Sequence, residues 1–137
     1  MRLGVIMPRM NPDGSPLTGD VLIDGARAID RAGFDSLWCF DAIGRGFMLP
    51  DPLITLSVAA SVTSRVGVGT CILQVPLRRP VELAHRILTA SLICGDRLLL
   101  GVGRLDQGGL RRGRRRLRHA YAGFRGRAHH DAAALER

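Results

Sequence analysis

Four short apolar segments, separated by stretches with helical spacing, constrain this fold more than any other feature of the sequence. These segments are predicted strands, and they span Leu3–Pro8, Phe34–Phe40, Val66–Val75 and Leu98–Val102. Strands that alternate with helices indicate right-handed crossovers and a parallel sheet. Because strands of a parallel sheet are buried on both faces, they are almost continuously apolar, as these are.

Each intervening segment carries start and stop signals for a helix. Thr18 can cap the first helix, which Gly33 ends. Asp51 caps the second helix, with a proline directly after it, where a missing N–H costs nothing. The third helix begins at Pro80 and ends at Gly95. Four strands and three helices make either half of an eightfold β/α barrel or a small open α/β sheet, and the spacing leaves both open.

The charge is distributed very unevenly along the chain. Residues 1–103 contain ten arginines against nine acidic residues, a net charge of +1, whereas residues 104–137 contain ten arginines against three, a net charge of +7. The second segment also has few large aliphatic side chains, so it buries too little apolar surface to offset its ordering entropy. We therefore predict one domain over 1–103 and an arginine-rich tail over 104–137 that is disordered or forms a frayed helix.

Several classes of protein are disfavoured by composition. No uncharged apolar run reaches the roughly 18 residues of a transmembrane helix, and the first apolar run is too short for a signal-peptide core. The three cysteines, Cys39, Cys71 and Cys94, are odd in number and far apart, which is typical of reduced thiols in the cytoplasm. The tail histidines lack cysteines or carboxylates at ligand spacing, so we predict no metal site.

Six segments, taken in order, resemble the N-terminal half of the luciferase-like flavin- or F420-dependent oxidoreductases. They are Leu3–Pro8, Ala32–Trp38, Asp51–Pro52, Thr63–Thr70, Pro76–Ala84 and Gly95–Gly103. The resemblance implies part of a TIM barrel, with about four parallel strands and three helices. It stops at Gly103, whereas a TIM barrel typically runs to about 250 residues, so we expect a chain shortened by truncation or a frame shift.

A flavin or deazaflavin ring over the C-terminal ends of the strands is implied by the same resemblance, with FMN or F420 as the cofactor. The cofactor-binding positions that it implies are Asp41, Thr70, Cys71, Ile72 and Gly103. In the family, the third strand often carries a bulge with a non-prolyl cis peptide that backs the ring, and the matching bond joins Cys71 to Ile72. Alternatively, residues 70–72 are ordinary strand residues.

Asp41 is the one candidate for a catalytic role, because many F420-type relatives have an acidic residue here. In those relatives a histidine follows, but this chain has Ala42, so the expected proton-transfer imidazole is absent. General acid–base catalysis needs a titrating group within hydrogen-bond reach, so we favour a structural or cofactor-orienting role for Asp41. Arg78 and Arg79, before the third helix, form either a solvated pair or a contact with an anionic cofactor tail or substrate.

The predicted function is that of a luciferase-like oxidoreductase or monooxygenase acting on a small-molecule substrate, inactive if its barrel is incomplete. Two other functions stay open. The tail can bind nucleic acid or other polyanions non-specifically, through charge alone. The chain can also be a half-barrel interaction subunit that forms a homo-oligomer through the open edges of its first and fourth strands.

Overall fold

A computed structural model describes residues 1–11, 13–43 and 49–103. The strands are β1 (Gly4–Ile6), β2 (Ser36–Cys39), β3 (Gly67–Gln74) and β4 (Leu98–Gly103). The helices are α1 (Gly19–Arg31), α2 (Pro52–Ser61) and α3 (Pro80–Cys94). Short 3-10 turns, Val75–Leu77 and Gly95–Arg97, follow β3 and precede β4. The predicted tail over 104–137 lies outside the described residues.

All four strands are parallel and lie in the order β1-β2-β3-β4. Each strand is therefore next to its neighbour in the chain, and each connection carries one helix. The prediction of four parallel strands with three helices is confirmed. Because the strands are parallel, their C-terminal ends meet at one edge of the sheet, and residues that follow different strands lie close together there.

The hydrophobic core lies between the sheet and its helices. Its largest fully buried side chains are Leu37 of β2, Leu56 of α2, Val68 and Leu73 of β3, and Val66, which precedes β3. Every second residue of a strand points to the same face, so the core positions alternate along β2 with residues on the opposite face. That alternation separates the helix-covered face from the other face of the sheet.

Trp38 lies on the face of the sheet opposite the main core. A Cβ atom at Gly4 would be 2.5 Å from Trp38 Nε1, and one at Gly69 would be 2.6 Å from Trp38 Cζ3. The indole therefore requires glycine on both neighbouring strands. Its Nε1 donates a hydrogen bond to Ser36 Oγ at 2.9 Å, which fixes the orientation of the ring.

The helix boundaries follow local signals, with one exception. Asp51 Oδ1 accepts hydrogen bonds from the backbone N–H groups of Leu53 (2.9 Å) and Ile54 (3.2 Å), so the predicted cap of α2 is confirmed. Gly33 and Gly95, after α1 and α3, have φ values of +84° and +59°. Thr18 occupies the N-cap position of α1, but its side chain makes no capping hydrogen bond, so that expectation is wrong.

Two charged side chains hold the loops at the N-terminal end of the sheet. Asp30 accepts hydrogen bonds from the N–H groups of Val66 (2.9 Å) and Ser64 (3.1 Å). Arg97 Nη2 donates to the carbonyl of Ala60 at 2.7 Å. Burial opposes ionisation of Asp30, but the backbone hydrogen bonds outweigh it and lower the pKa of Asp30. We call Asp30 and Arg97, with the backbone groups that they bind, the base cluster.

Candidate cofactor site

The third strand is irregular near its C-terminal end. The peptide bond between Cys71 and Ile72 is cis, at the position that the family resemblance implies. The pairing of β3 with β4 shifts register between Thr70 and Leu73, so this segment departs from the regular ladder. Ile72, within this segment, is 42% exposed.

Two glycines of β4 allow the irregular segment to lie close to that strand. A Cβ atom at Gly101 would overlap the carbonyl oxygen of Thr70, and one at Gly103 would overlap Cδ1 of Ile72. Neither position therefore accepts a larger residue without a shift of its neighbour. Because Gly103 has no side chain, the side chain of Ile72 can pack directly against β4 at this position.

Thr70 and Cys71 differ in exposure. Thr70 is fully buried, and its hydroxyl donates a hydrogen bond to the carbonyl of Gly101 at 2.8 Å, which ties β3 to β4. Cys71 is partly exposed, and burial raises the pKa of its thiol. Burial, with a smaller contribution from Cys71, raises the pKa of the nearby Cys39 to about 12. Both thiols are therefore protonated at neutral pH, which makes them poor nucleophiles.

Asp41 is buried between the C-terminal ends of β2 and β3. Its Oδ2 accepts hydrogen bonds from the backbone N–H of Gln74 at 2.7 Å and from Nη1 of Arg78. The Gln74 side-chain amide donates in turn to the backbone carbonyl of Asp41. Arg78 also approaches Asp51, with 3.5 Å between Nη2 and Oδ2. We call Asp41, Gln74, Arg78 and Asp51 the rim cluster.

Arg78 is the buried cation of this cluster, with 8% of its side chain exposed against 1% for Asp41. Burial would lower the pKa of Arg78, but hydrogen bonding and charge attraction from Asp41, with a smaller effect of Asp51, raise it overall. Arg79 is exposed. The two arginines therefore do not form a solvated pair, because Arg78 turns inward to neutralise two carboxylates.

The rim cluster continues outward along α3. Arg86 Nη1 lies 3.6 Å from Asp51 Oδ2, and its Nη2 lies 2.7 Å from Glu82 Oε1. Arg86 and Glu82 are about half exposed, so solvent screens their pair strongly, and it also reaches the pair with Asp51 from the Arg86 side. The buried contact between Asp41 and Arg78 is therefore the part of this network that matters most for local geometry.

Sequence reasoning identified Asp41 but missed its partners. Gln74 is expected at the same rim, at the end of the third strand, but nothing in the sequence pairs it with Asp41. Arg78 was recognised as a basic residue, but its ion pair with Asp41 spans 37 residues. The signal that could have found the pair is an aspartate two residues after β2 and an arginine four residues after β3, since both positions belong to the C-terminal end of a parallel sheet.

The part of the chain that the structure describes shows neither a membrane-spanning helix nor a cluster of metal ligands. None of its helices is long and apolar enough to cross a bilayer. Within residues 1–11, 13–43 and 49–103, no cluster of three or more metal-ligating side chains occurs. The cysteines at 39, 71 and 94 are free thiols. The tail histidines lie outside the described residues.

Comparison with known proteins identifies the family. The family model for luciferase-like monooxygenases matches residues 1–125, so the match extends past Gly103, where the resemblance of the motifs ends. The chain belongs to the luciferase-like monooxygenase family. The resemblance noted from the sequence is thereby confirmed.

Among curated relatives, the 4-hydroxyprotoasukamycin monooxygenase of Streptomyces nodosus subsp. asukaensis is 29% identical over 79 residues, which cover 57% of this chain and 21% of that protein. The F420-dependent glucose-6-phosphate dehydrogenase of Amycolatopsis mediterranei is 32% identical over 87 residues, 60% of this chain and 26% of that protein. The chain thus spans about a quarter or less of these relatives.

A similar solved structure is the oxygenating constituent of 3,6-diketocamphane monooxygenase from Pseudomonas putida, in complex with FMN. It is 26% identical with a TM-score of 0.67, and the match covers 82% of this chain and 32% of that one. The described sheet and helices therefore have the fold of one part of a luciferase-like β/α barrel.

Proposed function

We propose that the C-terminal end of this sheet binds the tricyclic ring of FMN or F420, and that the chain provides part of the site of a luciferase-like oxidoreductase for a small-molecule substrate. Family membership supports the reaction class. A relative that depends on F420 and a similar structure with FMN support a ring of this type without selecting one of the two.

The exposed Ile72 carries the proposal. It presents an apolar side chain at the C-terminal end of the sheet, where β/α barrels have their active sites. The side chain of Ile72 lies over Gly103, where a Cβ atom would overlap Cδ1 of Ile72, so Gly103 supports the apolar surface that Ile72 presents. An aromatic ring placed against Ile72 would remove apolar surface from water on both partners. These features fit the planar face of a flavin or deazaflavin.

The proposed site residues differ in what they contribute. Ile72 provides the surface against which the ring lies, with Gly103 beneath it and Cys71 next to it in β3. Thr70 is buried, so it supports this surface through its hydrogen bond to β4 without touching the ring. Asp41 holds the adjacent strand ends together through Gln74 and Arg78.

The residues of this chain thus bind the ring and fix its orientation, while the bound ring would supply the hydride or oxygen chemistry. The buried ion pair occupies Asp41 Oδ2, and Ala42 has no titrating group. We therefore assign Asp41 an orienting role and not one in proton transfer.

Titration with ring compounds tests this function. Riboflavin and the matching deazaflavin nucleoside carry the rings without the phosphate and acidic groups of the complete cofactors. At about 0.5 M salt, where the Debye length is only a few ångströms, binding through the arginine-rich tail is screened. We expect quenching of ring fluorescence by the full chain under these conditions.

Matched variants locate the binding. Ile72→Asp places a charge against the ring and should weaken binding about tenfold or more, as expected for an unpaired charge at an apolar contact. Ile93→Asp makes the same change on α3 at a residue of similar exposure, 48% against 42%, and should have little effect. No ring binding, equal effects of both variants, or binding that salt abolishes would refute the proposal.

A further inference from the structure

The end of β3 depends on side chains for its attachment to β2. The ladder between these strands runs from the pair Ser36–Gly67 to the pair Cys39–Thr70. Beyond Thr70, the described residues show no further ladder pairs between β2 and β3, although β4 still pairs with Leu73 and Gln74. Ile72, against which the ring is proposed to lie, falls in this segment.

The rim cluster bridges the gap where that ladder ends. Asp41 Oδ2 accepts from the backbone N–H of Gln74 at 2.7 Å, and the Gln74 side chain returns a hydrogen bond to the carbonyl of Asp41. Arg78 donates from Nη1 both to Asp41 and, at 3.2 Å, to the carbonyl of Gln74. One guanidinium therefore contacts Asp41, two residues after β2, and the last residue of β3.

The same guanidinium reaches the beginning of α2. Its Nη2 lies 3.5 Å from Oδ2 of Asp51, whose other carboxylate oxygen caps the helix. A planar fork with donors on two nitrogens can approach two carboxylates at once, whereas a lysine ammonium acts as a single point charge. The geometry therefore suits arginine specifically.

We infer that Arg78 is a positioning residue: it holds the Cys71–Gln74 segment against β2, and this places the Ile72 side chain where it can contact the ring. This inference rests on the proposed function, because it assigns Arg78 a role in ring binding without contact with the ring. Errors of about 1 Å in the placement of binding groups are costly, so loss of this bridge should weaken binding measurably.

Arg79 supplies a matched control. It is adjacent in sequence and exposed, and no ion pair of Arg79 occurs in the described part of the chain. We expect Arg78→Met to raise the Kd for riboflavin about tenfold, measured at a temperature at which the variant is fully folded. Arg79→Met should change the Kd by less than twofold. Arg78→Lys, which keeps the charge but loses the fork, should lie between wild type and Arg78→Met.

A second measurement separates positioning from a loss of stability and needs no ligand. The Cδ1 methyl resonance of Ile72 should move in Arg78→Met and Arg78→Lys but not in Arg79→Met. If Arg78→Met does not fold, the Ile72 methyl resonance of Arg78→Lys is compared with those of wild type and Arg79→Met instead. An unmoved Ile72 methyl resonance in the folded Arg78 variants overturns the inference.

The two proposals fail in different ways. If wild type binds neither ring, the proposed function fails, and the positioning role for ring binding fails with it. If wild type binds a ring and Arg78→Met binds it equally well when folded, this inference alone is wrong. Weaker binding together with a moved Ile72 resonance supports both.

Discussion

The two ends of this sheet use the same residue types in different ways. In the base cluster, Asp30 accepts from backbone N–H groups and Arg97 donates to backbone carbonyls, so each charge is met mainly by peptide dipoles. In the rim cluster, Asp41 and Arg78 neutralise each other in a buried ion pair. The first arrangement joins loops mainly through backbone groups, whereas the second joins three segments through an ion pair between side chains.

This difference agrees with a general property of β/α barrels: the N-terminal end of the sheet contributes to stability, and the C-terminal end carries the active site. Replacing a residue of the base cluster should therefore change stability without affecting ring binding. Replacing Asp41 or Arg78 of the rim cluster should change both. Measurements of unfolding free energy and of ring affinity on the same variants therefore distinguish the two ends of the sheet.

The largest effect is expected at the rim cluster. Asp41→Ala removes the close partner of a buried guanidinium, and breaking a buried ion pair in this way is strongly destabilising. We expect the free energy of unfolding to fall by about 3 kcal/mol, near the lower end for such pairs because Asp51 remains. Urea denaturation measures the change.

The double variant Asp41→Ala/Arg78→Met provides the control for that prediction. Removal of both charges eliminates the uncompensated cation, so the double variant should be more stable than Asp41→Ala alone. If the losses of unfolding free energy in the two single variants simply add up in the double variant, Asp41 and Arg78 are not energetically coupled. The rim cluster would then not differ from the base cluster by a stabilising ion pair.

A smaller effect is expected for Arg97 of the base cluster. Arg97→Met removes charge-assisted hydrogen bonds to Ala60, Thr63 and Val66 and should cost about 2 kcal/mol of unfolding free energy. The Kd for riboflavin of the folded variant should stay within twofold of wild type. A loss of affinity as large as that of Arg78→Met would show that the two ends of the sheet are not separate.

The smallest effect is a pH-dependent one at Asp30. The pKa of Asp30 is lowered in the folded state, so its contribution is complete above the unfolded value of about 4 and is lost as the pH falls through the lower folded value. Asp30→Asn should therefore cost about 1 kcal/mol above about pH 5, with a difference from wild type that shrinks below pH 4.

Asp24→Asn is the matched control for that prediction, because Asp24 lies on the exposed face of α1, with 75% of its side chain accessible. It should leave the urea midpoint nearly unchanged at each pH. A difference between Asp30→Asn and wild type that stays constant from pH 3 to pH 7 would contradict an ionised Asp30 in the base cluster.

The sequence predicted the elements that short-range signals control. The cap at Asp51 and the glycines after α1 and α3 act over a few residues, so the alternation of strands and helices was recognisable. The strand lengths were less accurate: Leu3–Pro8 was predicted where β1 spans Gly4–Ile6, because apolar residues continue beyond the last ladder pair.

Long-range partners could not be predicted in the same way. The side chain of Trp38 lies across Gly4 and Gly69, and Arg78 pairs with Asp41 across 37 residues. Both contacts depend on how far each strand extends and how each loop turns, which no local pattern records. The sequence therefore predicts at which end of the sheet the candidate site residues lie, but not which residues form hydrogen bonds with them.

Contact between a bound ring and Ile72 is tested most directly by nuclear Overhauser measurements on the full chain with riboflavin at high salt. We predict cross-peaks between the Ile72 Cδ1 methyl protons and protons of the ring. Bound riboflavin whose ring protons give cross-peaks to other residues and none to Ile72 would contradict the proposed site.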